Sequence, residues 1–146
     1  MKNLFVASLL ALSLFGCTPT GAIRPGETFT TRELTPAEKL SLSKNISQSL
    51  KDAESARFKW MPVVLREREG ATHYCGLVNA KNSYGGYTGF MRFWAALYKD
   101  DVEGLTKNKI LAIEKESDHV PNIFFVTRWL NGVCEDYGYV DFSLAT

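Results

Sequence analysis

From residue 36 onward the apolar positions change period, and each change marks an element. Leu42, Ile46, Leu50 and Ala53 recur at helical spacing, with Ser and Lys between them, which predicts a surface helix with a narrow apolar stripe. Its start is signalled three times: Thr35 can cap, Pro36 suits the first helical position, and Glu38 completes a capping box with Thr35. Residues 57–66 (RFKWMPVVLR) then read as a strand, which Pro62 confines to a sheet edge or a bulge. Residues 67–71 form a turn; residues 73–81 (HYCGLVNAK) and 90–98 (FMRFWAALY) read as second and third strands. The glycine-rich stretch 82–89 (NSYGGYTG) would close a hairpin between them. After a polar turn at 100–107, residues 108–114 (NKILAIE) read as a fourth strand.

The C-terminal segment 122–134 (NIFFVTRWLNGVC) carries two patterns. Its aromatic and β-branched residues, with Asn131-Gly132, fit a hairpin. Phe125, Trp129 and Val133 recur every four residues with Leu130 and Cys134 alongside, and Pro121 suits a helix start, so a helix is the expectation adopted. The fold class follows as α+β: an N-terminal helix, an antiparallel sheet of three to four strands, and a C-terminal helix against it.

Ahead of this domain the chain has a different character. Lys2 precedes an apolar run at 4–14 (LFVASLLALSL), the build of a secretory signal peptide. The run is far short of the about 20 residues that a bilayer span requires. Leu14-Phe15-Gly16-Cys17 places a large Leu where ordinary signal cleavage needs a small residue. The four residues resemble instead the lipobox of bacterial lipoproteins, with Phe15 bulkier than is usual at its position. The resemblance implies removal of residues 1–16 and lipidation of Cys17; the alternative is a secreted protein cut later, near Ala22. Thr18 rather than Asp follows Cys17, which by the sorting habit of enteric bacteria resembles outer-membrane delivery. Residues 17–35 (CTPTGAIRPGETFTTRELT) are rich in Thr, Pro and Gly and read as a flexible tether, leaving 36–146 as one small globular domain.

Charge and cysteine content fit that address. The whole chain carries a net charge of +1, and Lys2 leaves with the signal peptide, so the mature chain is neutral. Neutrality gives no general electrostatic reason to seek nucleic acid or an anionic membrane face, and membrane attachment would come from acyl chains. The chain has 3 cysteines. With Cys17 given to lipid, Cys75 and Cys134 remain as an even pair, and an exported compartment favours a disulfide between them.

Two segments resemble something known. Asp52-Ala53-Glu54-Ser55-Ala56-Arg57-Phe58 is similar to a D-P-x-S-A-x-F segment, with Ala53 in place of the usual Pro. Residues 75–90 (CGLVNAKNSYGGYTGF) resemble a C-G-x-V-N-x-K-N-x-x-G-G-Y-x-G-F run. Both occur, in this order, in small exported bacterial and prophage proteins of unassigned function. The resemblance implies a shared fold and an exported address, and brings no reaction with it. Ala53 leaves the turn between helix and strand less rigidly specified than Pro would.

Two readings of the glycine-rich loop stay open. In one, Gly85, Gly86 and Gly89 serve positive φ or close approach, while Asn79, Asn82 and Ser83 bond the loop's own backbone. In the other, Asn79, Lys81, Asn82, Tyr84 and Tyr87 form a polar, aromatic-flanked patch for a glycan, a peptidoglycan fragment or a partner loop. The glycine spacing fits no phosphate loop, because a strand follows where a helix is needed. His73 and Cys75 are too far apart along a strand for a nucleophile pair, and His73, Cys75, His119 and Cys134 lack zinc-ligand spacing. Asp100, Asp101 and Glu103 lack the closing Glu of a calcium loop. The expectation is therefore a non-enzymatic cell-envelope lipoprotein acting through an envelope protein partner, with no cofactor, metal or nucleic acid. The alternative is a binding module centred on residues 79–87.

Overall fold

The computed structural model describes residues 28–68, 70–99, 107–114 and 123–146. Residues 1–16 (expected to be a signal peptide), Cys17, His119 and the acidic stretch 100–103 lie outside these residues. The helix that opens at Thr35 is α1 (Pro36–Ser47), and its capping box is complete: the Glu38 N–H donates to Thr35 Oγ1, and the Thr35 N–H donates to Glu38 Oε2 at 2.8 Å. It is shorter than the apolar stripe suggested. Leu42 and Ile46 are fully buried, but the helix ends before Leu50, and Ala53 is exposed in the following turns.

The main sheet is antiparallel, in the order β2 (Arg57–Lys59), β5 (Ala71–Asn79), β6 (Met91–Tyr98), β7 (Lys107–Ile113), and β4 (Glu67–Arg68) pairs with the start of β5. A separate two-stranded ribbon joins β1 (Thr31–Arg32) to β3 (Val63–Val64). The class is thus α+β, with more and shorter strands than expected. The stretch 57–66 is two strands in two sheets. Pro62 does more than mark an edge, since the chain leaves the main sheet just before it. At the break both Met61 backbone groups are met by one side chain: Tyr74 Oη accepts from the Met61 N–H at 2.8 Å and donates to its carbonyl at 3.1 Å. Trp60 exchanges two backbone hydrogen bonds with Thr146. A chain leaving a sheet must satisfy its amides elsewhere, and here tertiary partners do it. Burial pushes the Tyr74 and Tyr139 phenols well above their ordinary pKa, so both stay protonated donors.

Residues 28–35 are also part of the fold rather than of a tether. Leu34 is buried, Phe29 packs on the core, and Arg32 makes a bidentate ion pair with Glu38 at 2.6 and 2.7 Å. Two polar strand residues gave the pattern no apolar alternation to detect.

Register decides which side chains share a face. Gly76 lies opposite Phe93 and Cys75 opposite Trp94. Strand alternation then groups Tyr74, Gly76, Val78 and Phe93 on one face and His73, Cys75 and Trp94 on the other. On the first face a Cβ at Gly76 would sit 2.6 Å from the Phe93 ring, so glycine is required by the close approach of that ring. Helix α1 covers this face: Asn108, opposite Leu97, accepts from Asn45 at 2.8 Å and donates to Ser41 at 2.7 Å. Helix α2 (Ile123–Asp136) covers the second face, through Leu130, through Trp129 against Trp94, and through a disulfide from Cys134 to Cys75. Asn131-Gly132 lies inside that helix, so the helical period prevails over the hairpin signal. The disulfide also removes both thiols from nucleophile or zinc chemistry. Among the described residues no helix is long and apolar enough to cross a membrane.

Candidate functional site

The two resembling segments, apart in sequence, are one unit in space. Asp52 closes the turn after α1 by accepting from the Ser55 N–H at 3.2 Å, and the Ser55 hydroxyl donates back to the Asp52 carbonyl at 2.9 Å. Residue 53 adds its backbone carbonyl, which accepts from the Ala56 N–H at 3.3 Å. Ser55 then reaches the glycine loop: its Oγ accepts from the Lys81 N–H at 2.9 Å, and its carbonyl accepts from Tyr87 Oη at 3.1 Å. Beside it Phe58 pairs with Val78 in the sheet.

The loop is held from within by one side chain. Asn82 Oδ1 accepts from the N–H groups of Tyr84 at 2.9 Å and Gly86 at 3.1 Å, while the Asn82 backbone exchanges bonds with Gly85 and Gly86. Gly85 and Gly89 take positive φ, at 80° and 115°. Gly86 does not, so only two of the three glycines serve the expected backbone conformation. Lys81 and Tyr87 form a bridge that closes the base of the loop. The result is a braced loop whose tip is bare: Tyr84 is 92% exposed.

Between this loop, the end of α1 and the ends of β6 and β7 lies a cleft of about 190 Å³. Leu50, Met91 and Ile113 supply apolar walls, and Lys51, Ser83 and Glu114 supply polar ones. Lys51 Nζ donates to Ser83 Oγ at 3.1 Å, tying the post-helical turn to the loop. Glu114 Oε2 accepts from the Arg92 N–H at 3.0 Å.

The expected patch divides here. Lys81, Asn82 and Tyr84 line the cleft. Asn82 spends its acceptor on the loop, which supports the structural reading for that residue. Tyr87 is outside the cleft, with the Arg57 guanidinium 4.3 Å and the Lys81 ammonium 5.8 Å from its ring centre. Asn79 is paired with Arg57 in the sheet, half-buried and apart from the cleft, with no hydrogen-bond partner for its Oδ1 among the described residues. Sequence reasoning missed Leu50, Lys51, Met91, Ile113 and Glu114, which come from three separate segments with no common spacing. Searches against protein-family models, curated proteins and solved structures returned no match to this chain.

Proposed function

We propose that this chain is a non-enzymatic, lipid-anchored protein of the cell envelope, seated at the outer membrane, that works by receiving a partner protein at the cleft beside Tyr84. The observation that carries the reading is the combination of a braced loop with an almost fully exposed aromatic tip over a small cleft. Exposed rings on rigid loops give contact area at low entropic cost. At about 190 Å³ the cleft falls below the about 300–1,000 Å³ of pockets that enclose a drug-sized ligand, and is scaled to one inserted side chain. The signal-like leader, the lipobox resemblance and the disulfide support an exported address. The two motifs, which resemble those of small exported bacterial and prophage proteins, supply the loop and the turn that braces it.

The test is a photo-activated cross-linking residue at position 84 of the full chain, expressed in a bacterial host that processes it. One discrete adduct is expected, and Thr88→Trp, which fills the cleft from an exposed position, should remove it without unfolding the protein. No adduct at 84, or the same adducts from exposed position 40 on α1, would overturn the reading. A second reading is favoured by the apolar walls next to a ring: a single sugar would fit there, and the adduct would then be to glycan rather than protein.

A further inference from the structure

On the side of β2 turned away from the core lies a strip of alternating cations and rings. Phe58 and Trp60 stack on each other and meet Phe93 edge-on in the core. Strand alternation therefore turns Arg57 and Lys59 outward, and both are exposed. Each lies over a ring: Arg57 over Tyr87 at 4.3 Å, Lys59 over Phe90 at 5.1 Å. Lys81 adds a third cation, 5.8 Å from Tyr87. Among the described residues none of these cations has a carboxylate within ion-pair distance. Tyr87 and Phe90 remain 37% and 41% exposed.

Charges on an edge strand can serve simply to prevent edge-to-edge pairing. That account explains Arg57 and Lys59 but not the half-exposed rings placed beneath them. Unpaired cations beside amphipathic rings are the composition that settles at an anionic bilayer surface, the cations meeting phosphates and the rings the headgroup layer. We infer that the Arg57–Tyr87–Lys81–Lys59–Phe90 strip docks on anionic lipid headgroups and sets the orientation of the domain on its membrane. The inference rests on the lipid-anchor reading for its nearness to a bilayer. From Cys17 to Thr28 the chain spans at most about 40 Å when fully extended, so the domain is confined close to the surface that holds its anchor. Arg57 and Lys59 face away from the cleft walls Met91 and Ile113, while Lys81 borders both the strip and the cleft.

The experiment uses the full chain as the producing cells process it, added to vesicles of phosphatidylcholine alone or with about one third phosphatidylglycerol. Lysine acylation by a water-soluble reagent is read at Lys59, with Lys44 on α1 as the internal control. With phosphatidylglycerol at low salt, Lys59 acylation should fall severalfold and Lys44 should not change. Molar salt should restore it, and Arg57→Glu should abolish the protection while leaving the disulfide formed. Equal Lys59 acylation in both compositions overturns the inference whether or not acyl chains are present. A contrast shown by protein whose mass carries no acyl chain overturns the anchor reading alone. Protection by dissolved polyglutamate as strong as by vesicles would assign the strip to an acidic chain and overturn the lipid assignment.

Discussion

Helix α1 holds its face of the sheet with Leu42 and Ile46 and with polar ties, whereas α2 holds the opposite face with Leu130 and a covalent bond. The polar ties of α1 are one charged and one neutral: Glu38 caps the helix and pairs with Arg32 on β1, while Asn108 bridges Asn45 and Ser41 through uncharged hydrogen bonds. The tie of α2 spans 59 residues and depends on oxidation. The difference separates the conditions under which each side yields. Acid reaches the α1 side, and reductant reaches the α2 side.

The largest expected effect comes from the covalent side. Closing a loop of this length removes about 4 kcal/mol of denatured-state entropy in the chain-entropy model. Total stabilities of small domains run about 5–15 kcal/mol, so Cys75→Ala with Cys134→Ala should leave a large unfolded fraction at growth temperature. Chemical denaturation with and without reductant measures it; equal midpoints would show that α2 is held by packing alone.

A smaller effect belongs to Glu38. Burial alone would raise its pKa, but the hydrogen bonds from Arg32 and Thr35 and the Arg32 charge outweigh it and hold the carboxyl at about 2. A carboxyl with a depressed folded-state pKa contributes stability above its unfolded value near 4.5, and loses it as pH falls toward 2. Glu38→Gln should therefore cost about 1–3 kcal/mol at neutral pH and flatten the loss of stability between about pH 4.5 and 2. An unchanged acid limb, read by denaturation at a series of pH values, would remove the ion pair from the account of α1. The same substitution should leave the effect of reductant intact, which sharpens the contrast between the two sides.

The smallest expected effect is in the loop. Asn82→Ala removes the acceptor for the Tyr84 and Gly86 N–H groups, which are exposed and can turn to water, so the cost should be about 1 kcal/mol or less. Amide exchange at Tyr84 and Gly86 should nonetheless quicken markedly while exchange in β5 is unchanged. If exchange at those amides does not change, the loop is not braced by Asn82.

What could be read in the sequence was local. The start of α1 lies in Thr35, Pro36 and Glu38, all within one turn, and the glycine hairpin lies between two apolar runs. The strand near residue 60 misled because its alternation continues through Pro62, while the break depends on Tyr74 and Thr146, distant partners that no period reveals. β1 escaped because Thr31 and Arg32 are polar and gain their place only by pairing with Val63 and Val64. The candidate site was half legible for the same reason. The loop residues Lys81, Asn82 and Tyr84 form one contiguous segment, but the cleft walls Leu50, Met91 and Ile113 meet only through sheet register and the end of α1.

The central claim is an exported domain, anchored at one cysteine and stapled by the other two. Intact mass of the protein isolated from membranes, with thiol alkylation before and after reduction, tests it most directly. The account predicts a chain beginning at Cys17, heavier by its acyl groups, with no alkylation before reduction and two alkylated thiols after. A chain that retains residues 1–16 or lacks acyl groups, or one with two thiols alkylated before reduction, would contradict it.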